Sequence, residues 1–255
     1  MSAHKSSEKP YVLLAPNGAR RGVKDHAYLP VTLDQITETA QACHGVGAQG
    51  LHLHIRDTQG RHSLDAGQYL ETIAELRRQV PTLDIQITTE AVGLYDVQAQ
   101  YDCLAGVRPG WASVSVREIA RAPDLADRVY GLCAEQGTRV QHILYNAADV
   151  ALLAQWRASG IVRMEQSEHL LVLGRYSAGM NSSPEDLDRL PPVDGPWMVC
   201  AFGPREHACL AMAAKKGGDV RVGFENSLTD HAGTPWADNA ASVAALVETL
   251  KGIRS

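Results

Sequence analysis

Short apolar runs alternate with amphipathic stretches along the whole chain, and no Pro-, Gly- or Ser-rich linker interrupts them. Apolar runs of four to eight residues bounded by turn residues read as strands, and apolar positions three and four apart read as helices. Strand-like runs lie at 11–15, 50–56, 84–88, 111–116, 139–144, 168–173, 197–201 and 219–225. Helices are expected from the capping-box sequence that begins at Thr32, from Ser63, over 96–104, over 123–136, over 147–159, from Pro184, over 205–216 and over 239–251. The helix from Ser63 would bury Leu70, Ile73 and Leu76. Strict alternation of this kind requires parallel strands joined by crossover helices. Eight such units describe an α/β protein with a (β/α)8 TIM barrel better than an open sheet. One barrel domain is expected over 11–255, preceded by a flexible N-terminal segment over 1–10.

At 255 residues the chain has the length of such a barrel. With only two Phe, aliphatic side chains must fill its core. The 29 acidic and 24 basic residues are interspersed, with no basic stripe, which argues against a nucleic-acid partner or an anionic membrane surface. The first ten residues are polar, and no run is long enough to cross a bilayer, so a cytoplasmic protein acting on small molecules is expected. Five cysteines without a C-x-x-C pair predict buried free thiols rather than disulfides or a thiolate zinc site.

Within the second strand, Gly50-Leu51-His52-Leu53-His54-Ile55-Arg56-Asp57, alternation puts His52 and His54 on one face and the aliphatic residues on the other. Two imidazoles that share a small space suit a divalent metal such as zinc, and two hydrogen-bonded, half-buried histidines are the alternative. A barrel keeps its active site at the C-terminal ends of its strands. The polar residues there are Asn17, Arg56, Asp57, Thr88, Thr89, Glu90, Ser113, Ser115, Glu225 and Asn226. On the eighth strand, alternation directs Arg221, Gly223 and Glu225 inward. A carboxylate inside a barrel is costly unless it is paired or ligated. Glu225 is therefore a third candidate ligand, with an internal Arg221–Glu225 ion pair as the alternative. Two histidines and a carboxylate make the ligand set of a catalytic zinc rather than a structural one. Gly203, after the seventh strand, offers a backbone N–H that an anion would accept.

These residues resemble the β-keto acid cleavage enzymes, whose founding activity is 3-keto-5-aminohexanoate cleavage. The resemblance covers most of the chain. It rests on Asn17-Gly18-Ala19 with Leu29-Pro30-Val31-Thr32, on Gly47-Ala48 leading into His52-Leu53-His54-Ile55-Arg56-Asp57, and on Gln86-Ile87-Thr88-Thr89. It continues through Leu173-Gly174, Gly179-Met180 and the run from Gly217 to Glu225. The resemblance implies a zinc-bearing barrel, usually a homotetramer, that takes a β-keto acid and acetyl-CoA and gives acetoacetate and a new acyl-CoA. His52, His54 and Glu225 match the family's metal ligands, Thr88 and Ser113 its carboxylate-holding hydroxyls, and Arg221 an arginine that assists the base. Thr89, beside Thr88, joins the substrate-binding candidates. A metal that polarises the 3-keto oxygen acidifies C2 and steadies an enolate able to attack the thioester.

Two positions depart from the family pattern. The family's base is an aspartate directly after the glutamate ligand, where this chain has Asn226, and an amide takes no proton at neutral pH. Glu90, Asp57 or a zinc-bound hydroxide would have to replace it. Arg20 stands where the founding enzyme has a glutamate suited to an amino group, and a cation there favours a β-keto diacid. Two rival functions remain. One is a metal-dependent hydrolase of the amidohydrolase type, with His142 and His169 completing its site. The other is a barrel that binds a keto acid or acyl-CoA without turning it over.

Overall fold

The computed structural model describes residues 9–174 and 181–253. In chain order its strands are β1 (Val12–Leu14), β2 (Gly50–Leu53), β3 (Ile55–Arg56), β4 (His62–Ser63), β5 (Asp84–Thr88), β6 (Trp111–Ser115), β7 (Arg139–Leu144), β8 (Glu168–Leu173), β9 (Trp197–Ala201) and β10 (Asp219–Val222). All but β3 and β4 pair in parallel and close a barrel, with β10 returning to β1. The helices are α1 (Leu33–Gly45), α2 (Ala66–Gln79), α3 (Val97–Val107), α4 (Val116–Ile119), α5 (Pro123–Gln136), α6 (Ala147–Ala158), α7 (Glu206–Lys215) and α8 (Asn239–Leu250). The expected (β/α)8 TIM barrel is the fold. Among the described residues no helix is long and apolar enough to cross a membrane, and all five cysteines are free and buried.

Strand alternation divides the core in two. Leu51, Leu53, Ile87, Val114, Leu144, Leu171, Val199 and Val222 face outward and pack beneath the helices. Leu13, Trp111, Ile143, Leu170, Val172, Met198, Cys200 and Phe202 form a smaller cluster in the lumen. One side of the lumen is polar instead, because register sets His52 beside Gln86, Thr88 beside Ser113 and Ser113 beside Gln141.

Several local expectations need correction. The second strand is not continuous: β2 stops at Leu53, and Ile55–Arg56 turns out of the barrel to pair antiparallel with His62–Ser63. Ser63 therefore lies in a hairpin, and Asp65 caps α2 by accepting from Gln68 N at 2.8 Å. Leu70 is 48% exposed, and Tyr69, Thr72, Ile73 and Leu76 bury that helix. α3 runs beyond residue 104 because Asp96 caps its start and Arg108, in the left-handed region, ends it. Val116 belongs to α4 rather than to β6. The segment from Pro184 is a single 3-10 helix, Pro184–Arg189. β10 ends at Val222, since Gly223 (φ 142°) starts a turn in which Asn226 N donates to Gly223 O at 2.8 Å. The Gly179-Met180 pair lies outside the described residues.

Candidate active site

The break after β2 sets the geometry of the histidine pair. Tyr69, on α2, donates its hydroxyl to Leu53 O and to Thr88 O, and Asn17 Nδ2 donates to His54 O at 3.2 Å. Held in this way, His54 leaves the ladder but keeps its ring beside that of His52, with centroids 4.9 Å apart. The two Nε2 atoms are 3.2 Å apart, and Glu225 Oε2 lies 3.7 Å from that of His52 and 3.5 Å from that of His54. The turn after β10, rather than strand alternation, brings Glu225 here. Its Oε1 accepts from Arg221 Nη2 at 3.1 Å, so the ion pair with Arg221 is present while the other carboxylate oxygen faces the histidines.

These three residues fit a tetrahedral metal. Ligands at zinc distances sit roughly 3.3 Å from one another, close to the three separations found here. Glu225 Oε2 is buried and has no hydrogen-bond partner among the described residues, as expected of an atom reserved for a cation. Burial, then the nearby Arg221 charge, drives the His52 pKa well below its ordinary value; burial, then His52, does the same at His54. Both rings are thus neutral and have lone pairs to give. Burial also raises the Glu225 pKa, against the pull of Arg221.

Above the cluster lies a cavity of about 450 Å³ at the C-terminal end of the barrel, lined in part by His52, Thr88, Glu90, Arg20, Arg221 and Glu225. Glu90 is held by its backbone: its N–H donates to Thr88 Oγ1 at 3.0 Å, and His62 Nε2 donates to its carbonyl at 2.8 Å. Its carboxylate lies 3.9 Å from His54 Nε2 and 3.6 Å from Arg20 Nη2. Burial, helped by the Glu225 and Glu118 charges and opposed by Arg20, raises its pKa to about 7. Arg20 itself is half exposed at the mouth. Ser113 is buried with its hydroxyl unpartnered among the described residues, next to Thr88.

Other candidates fall away from the cluster. Asp57 organises the β3–β4 turn, accepting from Gln59 N, Arg61 N and Arg61 Nε, each within 2.9 Å. The Thr89 hydroxyl donates to Ser113 O at 3.1 Å and does not line the cavity. Arg56 braces the loop after β1 by donating to the carbonyls of Gly18 and Arg21. Gly203 N donates to Asn226 O at 3.2 Å and so has no N–H to offer an anion. The Asn226 side chain is buried, with neither amide atom partnered among the described residues, and it does not line the cavity. His142 Nε2 donates to Gln166 O and the ring packs against Tyr130, outside the lumen, which removes the amidohydrolase arrangement.

Arg117, Glu118 and Tyr145 line the same cavity and were not expected from the sequence. The Arg117 guanidinium lies 4.2 Å over the Tyr145 ring and is paired with Asp149 at 2.6 Å. Each follows its strand by only a few residues, and the rule that flagged Thr88 and Glu90 would have flagged them too.

Known proteins resemble the chain in sequence and in fold. The chain is 24% identical to a 3-keto-5-aminohexanoate cleavage enzyme of Fusobacterium nucleatum, covering 96% of this chain and 92% of that protein. It is also 24% identical to a 3-oxoadipate:acetyl-CoA acetyltransferase of Cupriavidus necator, covering 93% and 88%. Among solved structures, ObcA in a ternary complex with a C4-CoA adduct and oxalate superposes with a TM-score of 0.68 at 19% identity, covering 88% of this chain. The chain spans only 64% of ObcA. A type I 3-dehydroquinate dehydratase of Clostridium difficile superposes at 0.65 with 10% identity over 98% of this chain and 94% of that one, a likeness of barrel alone. The profile of the β-keto acid cleavage enzymes matches residues 9–254, which takes in the histidine pair, Glu90 and Glu225, and the chain belongs to that family.

Proposed function

We propose that this protein is a zinc-dependent enzyme that condenses a β-keto acid with acetyl-CoA, giving acetoacetate and a new acyl-CoA. The convergence of three metal-ligating atoms on the floor of a cavity that also holds Glu90 carries this reading. His52, His54 and Glu225 hold the metal, which supplies Lewis-acid polarisation of the 3-keto oxygen. Thr88 and Ser113 offer hydroxyls to the substrate carboxylate. Glu90 takes the C2 proton, since it is the carboxylate beside the histidines that is not itself a ligand. Arg221 holds Glu225 in place and keeps positive charge close to the developing enolate. The carbanion attacks the acetyl thioester and expels CoA thiolate. The thiolate then attacks the original 3-keto carbon, the C2–C3 bond breaks, and acetoacetate leaves with the proton returned to C2.

Arg20 at the cavity mouth supports substrates with an anionic distal end, the class named in the Cupriavidus relative. Homotetrameric assembly and a cytoplasmic location belong to the same reading. The test is incubation of zinc-loaded protein with acetyl-CoA and anionic, neutral and cationic β-keto acids, with mass spectrometry for a new CoA thioester. A thioester from the anionic class is expected. No thioester from any class, with zinc bound, would sink the proposal. Activity gained only by Asn226→Asp would instead mark a binding protein that has lost its base.

A further inference from the structure

Below the metal ligands, two buried amides stand in line through the lumen. His52 Nδ1 lies 2.7 Å from Gln86 Oε1, Gln86 Nε2 lies 3.1 Å from Gln141 Oε1, and Gln141 Nε2 lies 3.8 Å from Met198 Sδ. All four side chains are buried. The strand register sets His52 beside Gln86, and the inward faces of β7 and β9 carry the next two members.

A primary amide fits its neighbours either way round, so distances between glutamines do not by themselves give the row a direction. Its lower end does. A thioether sulfur accepts hydrogen bonds and donates none, so Gln141 must turn its NH2 toward Met198. Its carbonyl then faces Gln86, Gln86 turns its own NH2 downward, and its carbonyl faces His52. An imidazole nitrogen opposite a carbonyl must carry the proton. His52 is therefore Nδ1–H, and its Nε2 lone pair is left facing His54 and Glu225. With the row reversed, a carbonyl would oppose the sulfur, and the His52 proton would move to Nε2, where it blocks ligation.

We propose that Gln86 and Gln141 act as a one-way amide relay, given its direction by Met198, that fixes the His52 tautomer and so prepares Nε2 for the metal. They are positioning residues. The consequence for metal affinity rests on the zinc reading above, whereas the tautomer is a property of the metal-free protein as well.

The experiment uses the full chain labelled with 15N-histidine, in metal-free and zinc-loaded form, with His52 assigned through His52→Gln. Nitrogen shifts give the tautomer, and competition with a chromophoric chelator gives zinc affinity. In the parent, Nδ1 is expected to carry the proton. Gln86→Leu, apolar and with neither donor nor acceptor, should lose that preference and bind zinc about 10- to 100-fold more weakly. Gln86→Glu keeps an acceptor and should retain both properties, and Met198→Leu should let Nε2–H appear in the metal-free protein. A parent protonated at Nε2, or a folded Gln86→Leu with unchanged tautomer and affinity, would overturn the relay. Should Gln86→Leu not fold, the parent and Met198→Leu spectra still decide. A parent that binds no zinc would refute the metal reading alone, since the tautomer is read without zinc.

Discussion

At the level of single residues, the open question is the base, because Asn226 offers none. Glu90→Gln keeps the shape of the side chain and removes its ability to take a proton. Turnover is expected to fall by about 10²- to 10⁴-fold with zinc content unchanged, whereas Asp57→Asn, altered only at the β3–β4 turn, should leave turnover as it is. Steady-state rates with metal analysis check both, and a fully active Glu90→Gln would remove the assignment. These two acids also show what one sequence reveals. Both lie next to strand ends, and position along the chain does not rank one above the other. What separates them is the hairpin that turns Asp57 outward, and that pairing is encoded in His62 and Ser63, too short a run to read as a strand. His52, His54 and Glu225 were legible because a charged or ligating group in a barrel lumen needs a reason to be there.

At the level of elements, the turn after β10 connects fold to site. Gly223 sits at φ 142°, and a Cβ there would come within 2.4 Å of Ala15 O, on the backbone just after β1. Gly223→Ala should therefore cost more than the ~1–3 kcal/mol of an unfavourable backbone conformation and should displace Glu225, lowering zinc stoichiometry as well as the urea midpoint. Gly233→Ala is the comparison: φ is 84° but the space around it is open, so only the conformational cost applies and zinc is kept. Equal losses in the two variants would contradict the steric argument. Sequence alternation predicted the right inward neighbours for the wrong stretch, since the strand ends three residues before Glu225. At the start of α1, the capping box was fully legible. Gln35 N donates to Thr32 Oγ1, and Gln35 Oε1 accepts from Thr32 N at 3.1 Å. Thr32→Ala should cost about 1 kcal/mol, seen as a fall of roughly 2–4 °C in Tm.

For the molecule as a whole, acid stability depends on histidines held neutral by burial. His142 is the clearest case, fully buried against Tyr130 with Nε2 donating to Gln166 O at 2.9 Å. Burial, assisted by His169 and Arg157, takes its pKa down to about 3. Between that value and the unfolded value near 6.5, the unfolded chain binds the proton that the folded chain refuses, so stability must rise with pH across this window and fall as pH drops through it. From neutral pH to pH 5 the loss from this one residue is about 2 kcal/mol. Glu206 and Glu118 act in the opposite sense, because burial raises their pKa values and makes the folded state take up protons. The parent's total pH profile therefore mixes both signs, and only a difference isolates the histidine. In His142→Gln an amide can still donate to Gln166 O but cannot titrate. Its stability by urea unfolding, relative to the parent, should improve by about 2 kcal/mol between pH 8 and pH 5, whatever offset the substitution introduces at pH 8. The carboxylates and the two metal-site histidines titrate alike in both proteins and cancel. Parallel stability curves across that range would mean that His142 is reached by protons in the folded barrel, and that the layer between β7 and α5 is less closed than its packing implies.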